Sequence, residues 1–162
     1  MAMTLVETIT IGSGGAASAT FSNIAQTGKD LLILVSGRRT DNGFRLYTRF
    51  NSDSGANYSY RRLDGNGSAV GSTTSTDDGV WATLVSPSTA TASTFGNGAI
   101  YVSNYTSSVA KSVSVDGVSE NNATLAYQEI VAGRWTGTNA ITSVTIGENL
   151  AQHTTLSLYI IS

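Results

Sequence analysis

The sequence predicts an all-β protein: an antiparallel two-sheet β-sandwich, jelly-roll-like, in a single domain over residues 1–162. Three observations carry this. Apolar and polar residues alternate at period two in about ten short stretches separated by turn residues, the spacing that turns every second side chain to one sheet face. No stretch sustains the 3.6-residue apolar period of a long helix. Charged residues are 12% of the chain, about half the usual share, while Gly, Ser and Thr abound, which suits sheets whose outer faces carry hydroxyls instead of charges. A hydrophobic content of 40% with a single Pro argues against disorder.

The elements follow in order. Residues 4–11 alternate as a first strand that Gly12 to Gly15 breaks, and residues 17–21 give a second. Residues 30–39, DLLILVSGRR, form a nearly continuous apolar run too short for a typical helix, which predicts a central strand buried on both faces. Phe44, Leu46, Thr48 and Phe50 then alternate with Arg45, Tyr47 and Arg49. NSDSGAN at residues 51–57 has turn residues, so residues 58–63 are expected to pair back as a hairpin. Residues 64–79, DGNGSAVGSTTSTDDG, read as a long loop of the kind that is functional or mobile. Residues 80–85 and 99–102 supply strands, with residues 87–94 as a connection.

The longest patterned stretch is residues 111–135, KSVSVDGVSENNATLAYQEIVAGRW, two strands joined by a polar turn at residues 120–123. In its second strand Leu125, Tyr127, Glu129 and Val131 share one face, and Ala126, Gln128, Ile130 and Ala132 the other. The second, small and mostly apolar, is expected to pack inward. Residues 140–146 and 154–161 complete the set. Ile33, Val35, Phe44, Leu46, Phe50, Ile100, Ile130, Ile146 and Leu158 are the expected core.

Chemistry is sparse. The absence of Cys excludes disulfides and thiolate metal sites. His153 is the sole histidine, without a G-x-S-x-G elbow to accompany it, and Gly28-Lys29 lacks the upstream glycine of a phosphate-binding loop. Asn51 to Gly55 begins like a calcium loop, yet its twelfth position is Arg62 instead of Glu, so a plain turn is expected. No catalytic residue, cofactor or metal is expected, and the protein is read as no enzyme. No charged leader is visible, and the apolar run at residues 31–35 is far too short to cross a bilayer as a helix, so a soluble protein without a membrane partner is expected.

Charge distribution says more. Residues 38–62 hold six arginines against Asp41 and Asp53, a local charge of +4, whereas the remainder carries −6. If Phe50 and Leu63 point inward, Arg45, Tyr47, Arg49, Tyr58, Tyr60 and Arg62 share the outer face of one hairpin. Arg and Tyr are enriched at interface hot spots, which makes these six the candidate protein interface. A sequence pI of 5.2 disfavours a nucleic-acid partner.

Four segments add a resemblance: FSNIAQTGKDLLILVSGRR, FNSDSGANYSYRRLDGNG, FGNGAIYVSNYTSS and KSVSVDGVSENNATLAYQEIVAGRWTGTNAITSVTI. Together they span most of the chain and resemble a group of small structural proteins of tailed bacteriophages. The sequence departs from the pattern at Ala25 and Ser103, where proline is expected, and at Arg134, where an apolar residue is expected. The resemblance implies a virion β-sandwich with no catalytic residues. Two tasks fit it. One is a capsid decoration (cement) protein, a homotrimer contacting the major capsid or another virion protein. The other is a tail-tip or fibre module binding host surface glycan.

Overall fold

The computed structural model describes residues 2–120 and 126–162. The described residues contain twelve strands and no helix. They are β1 (Met3–Thr10), β2 (Ala16–Phe21), β3 (Asp30–Gly37), β4 (Arg45–Phe50), β5 (Tyr58–Gly65), β6 (Val70–Asp77), β7 (Val80–Leu84), β8 (Gly96–Val102), β9 (Lys111–Glu120), β10 (Ala126–Trp135), β11 (Val144–Leu150) and β12 (Thr155–Ile161). They form two antiparallel sheets, one of eight strands in the order β1-β12-β3-β8-β9-β10-β5-β6 and one of four in the order β2-β11-β4-β7.

The quartets β1-β12-β3-β8 and β2-β11-β4-β7 have the strand order of a jelly roll, in which the chain passes back and forth between two facing sheets. Two hairpins are inserted into that frame. β5–β6 interrupts the passage from β4 to β7 and β9–β10 the passage from β8 to β11, and both add to the same sheet. They meet where β10 pairs with β5, from Gln128 opposite Gly65 to Trp135 opposite Tyr58.

Period-two patterning places the core. Ile33, Val35, Leu46, Phe50, Ile100, Ile146 and Leu158 are buried between the sheets, with Phe21, Tyr58, Tyr105 and Ile141 among the other large side chains there. Two expected core residues are not. Phe44 is 42% exposed just before β4, at the mouth of the interior, and Ile130 is 48% exposed on the outer face of β10.

Ile130 marks a reversed strand. In β10 it is Glu129 and Val131 that are buried, while Ala126, Gln128, Ile130 and Ala132 are exposed. Small apolar side chains suggested the other orientation, but two arginines elsewhere in the fold make it possible to bury Glu129. Leu125 and most of the turn at residues 120–123 lie outside the described residues.

Three further expectations change. β5 does not pair back on β4. Left-handed φ at Asn51 and Ser52 turns the chain away, and β5 joins the other sheet, so Tyr58 and Tyr60 face inward across from Phe50. Residues 64–79 are no loop but the end of β5, a turn at residues 66–69 and the edge strand β6; Asn66 Oδ1 accepts from the Ser68 and Ala69 N–H groups to close the turn. Its strand signal is weak because both faces of β6 meet solvent and carry mainly Ser, Thr and Gly. β3 is central as expected, but buried on one face only: Leu34 is 41% exposed on the side away from the small sheet.

Candidate functional site: a charged and aromatic cleft between the sheets

The inward face of the inserted strands explains the site. Pairing aligns Gly98, Gly117, Glu129, Asp64 and Gly71 in one row across β8, β9, β10, β5 and β6. Two carboxylates thus stand directly opposite each other, an arrangement that is unfavourable without nearby cations. Arg62 supplies one from the next row of β5, and Arg45 supplies the other from β4 in the facing sheet.

Arg45 Nε donates to Glu129 Oε2 at 2.6 Å. Arg62 Nε lies 2.9 Å from Asp64 Oδ1, without the alignment of a hydrogen bond, and 3.8 Å from Glu129 Oε2. Glu129 is 1% exposed, and its Oε1 has no hydrogen-bond partner among the described residues. Burial pushes the Glu129 carboxyl above its ordinary value, and the two arginines oppose that push.

Trp81 of β7 links the arginines. The guanidinium carbons of Arg45 and Arg62 lie 4.6 and 4.8 Å from its ring centre, Tyr60 packs on it at 4.8 Å, and Tyr47 meets it edge-on at 6.4 Å. Arg49 stands 5.9 Å over Tyr47 and donates to Asp78 Oδ2 at 2.5 Å. Tyr58 packs against Phe50 and Trp135, and its hydroxyl accepts from Phe50 N and donates to Asp53 O.

The six sequence-predicted interface residues therefore do not share an outer hairpin face. Arg45, Tyr47, Tyr60 and Arg62 gather around Trp81, Arg49 flanks them, and Tyr58 belongs to the core. Assigning both strands to one hairpin produced the wrong face, because their true neighbours are β7 and β10. Glu129, Asp64 and Trp81 were missed as members. The +4 charge of residues 38–62 was the signal for the two carboxylates, since it called for acids from elsewhere in the chain; no pattern marked Trp81.

Beside this network a cleft of about 220 Å³ opens between the sheets, lined by Phe44, Arg45, Asp64, Asn66, Tyr127 and Gln128 among others. Phe44 and Tyr127 meet edge-on there, with centroids 6.3 Å apart. The remaining singled-out residues are accounted for locally. Asp53 accepts from Gly55 N, Asn57 Nδ2 and Trp135 Nε1, and His153 is exposed in the turn before β12 with φ of 70°.

Fold and site together define a jelly-roll β-sandwich with a polar cleft at the inserted half of its long sheet. No family model, curated protein or solved structure matches the chain.

Proposed function

We propose that the chain is a non-enzymatic structural protein of a tailed-bacteriophage virion, a decoration (cement) protein that lies as a homotrimer on the head shell and contacts the major capsid protein. One observation carries the reading: the outer face of the eight-stranded sheet exposes apolar side chains in two adjacent rows, set among polar neighbours such as Ser114, Asp116 and Arg61. Leu5, Tyr159, Leu32 and Tyr101 form one row across β1, β12, β3 and β8. Leu34, Ala99, Asp116, Ile130 and Leu63 form part of the next. A run such as Leu31 to Val35 ordinarily belongs to a strand covered on both faces, and here the described residues cover only one. Uncovered apolar rows of this kind fit contact with another protein. The resemblance of four segments to phage structural proteins supplies the setting.

Immunogold labelling of intact virions tests the location: head labelling is expected, and label confined to the tail would reject the decoration role. The surface is tested by Leu34→Lys with Ile130→Lys. Both side chains are more than 40% exposed, so the variant is expected to fold, to keep its far-ultraviolet spectrum, and to be lost from the virion. Normal incorporation of that variant would remove this face from the reading. Native mass spectrometry is expected to give three times the 16.8 kDa chain mass.

A further inference from the structure

The cleft beside Trp81 has a composition that the virion role does not use. Its volume of about 220 Å³ lies below the range of drug-sized pockets, about 300–1,000 Å³. It suits one small ring better than a nucleotide or a cofactor.

We infer that this cleft binds a neutral saccharide through one pyranose ring, with Phe44 as the stacking surface and Arg45, Asp64 and Asn66 as hydrogen-bonding partners. The inference is independent of where the protein sits on a virion.

Three features carry it. The first is an apolar platform. Phe44 is 42% exposed at the cleft, and its ring is set edge-on against Tyr127. The C–H face of a pyranose covers such a ring without breaking a hydrogen bond.

The second is a set of unused polar atoms of both kinds. Arg45 spends Nε on Glu129, and its two terminal nitrogens have no hydrogen-bond partner among the described residues. Asp64 turns Oδ1 inward to Arg62, while its Oδ2 accepts no hydrogen bond among the described residues, on a side chain 28% exposed. Asn66 Oδ1 is committed to Ser68 and Ala69, which leaves its amide NH₂ as a donor. A ligand here must donate to Asp64 and accept from Arg45 and Asn66. Vicinal hydroxyls do both from adjacent atoms.

The third is charge. Arg45 and Arg62 balance Asp64 and Glu129, so the site offers no net attraction to an ion, and its carboxylates oppose a phosphate. The polar groups are also positioned in advance. Arg45 is held by Glu129 and Trp81, and Asp64 occupies space left by the absent side chain of Gly71 opposite it, where a Cβ would lie 2.7 Å from Oδ1. Such preorganisation lowers the entropic cost of binding.

The test is an amide chemical-shift titration of the ¹⁵N-labelled full chain. The probes are the methyl pyranosides of glucose, galactose and mannose and N-acetylglucosamine, each to about 50 mM, with dissociation constants of order 1 mM expected for a single ring. At least one should give saturable shifts confined to the amides of residues 44–45, 64–66 and 127–128. Phe44→Ala and Asp64→Asn should each weaken that binding about tenfold, with the rest of the spectrum unchanged to show that the variants fold. Absence of saturable shifts from every probe would overturn the inference. So would shifts located elsewhere, variants that bind as tightly as the parent, or inorganic phosphate occupying the cleft in place of the sugars.

Discussion

Arginine in this chain works mostly as an internal tie. Arg38 donates to the carbonyls of Ser88, Ala90, Thr91 and Thr94, and so gathers the connection between β7 and β8 around one guanidinium. Arg39, 8% exposed, pairs with Asp41 and Glu148 and donates to the Arg45 carbonyl. Hydrogen bonding to Arg39 also holds the Asp41 carboxyl well below the usual range. Arg45 reaches furthest, because it joins the two sheets through Glu129. Arg45→Glu would set a third carboxylate beside Glu129 and Asp64 and leave Arg62 as the only cation among them. Breaking a buried ion pair by removing one partner costs about 3–5 kcal/mol, and equilibrium urea unfolding is expected to show a loss of that order. A change below about 0.5 kcal/mol, ordinary for surface substitutions, would mean that Arg45 is merely solvated. Part of this site was legible: the Arg and Tyr residues of β4 and β5 do come near one another. Their direction was not, since alternation separates two sets of side chains without saying which set is enclosed.

The elements show why a sheet can approach its partner so closely here. Gly98 of β8 and Gly117 of β9 are directly paired, and Thr83 of β7 fills the space that their missing side chains leave, with its hydroxyl donating to Asp116 O at 3.3 Å. Thr83 is fully buried. Replacing Gly by Ala in a strand ordinarily gains about 0.5–1 kcal/mol from reduced backbone freedom. At Gly98 the new Cβ would collide with Thr83 Oγ1 and the Asp116 carbonyl, and overpacking costs about 1–3 kcal/mol. Gly98→Ala is therefore expected to lower the thermal unfolding midpoint, and a raised midpoint would contradict this packing. The same scale explains the missed strand. β6 alternates, but between Ser, Thr and Gly on both faces, so no apolar period marks it. Its partner β5 defines it through eight residue pairs.

Over the whole molecule, the two sheets enclose tyrosines whose neutral form the fold requires. Tyr58 is fully buried, and burial pushes its hydroxyl up to about 12, from 10.0. The folded value is raised, so this contribution to stability is complete below pH 10 and is lost as pH climbs from 10 to 12. Two pH units correspond to about 2.7 kcal/mol. Tyr47, Tyr60 and Tyr101 are shifted in the same direction, so they add to the alkaline loss. Tyr58→Phe isolates one share. At pH 8 the variant should be less stable by about 1–3 kcal/mol, because Phe50 N–H and Asp53 C=O lose their partner. That deficit should shrink between pH 10 and 12. A deficit independent of pH would show that Tyr58 ionises as freely in the folded protein as in the unfolded chain.

Composition and period determined by themselves that this chain is all-β and a two-sheet sandwich, and they located most strands, because a strand's alternation is a local property. They also fixed β3 as central and most of the core, since Ile33, Val35, Leu46, Phe50 and Ile146 sit on strands where one set of side chains is plainly the more apolar. Only the tertiary structure decided which sheet β5 joins and which face of β10 turns inward. Strand pairing joins residues far apart in the chain, such as Glu129 with Asp64, and a mixed strand is oriented by what the opposite sheet offers. Arg45 and Arg62 offered charge compensation, so Glu129 went in and Ile130 went out.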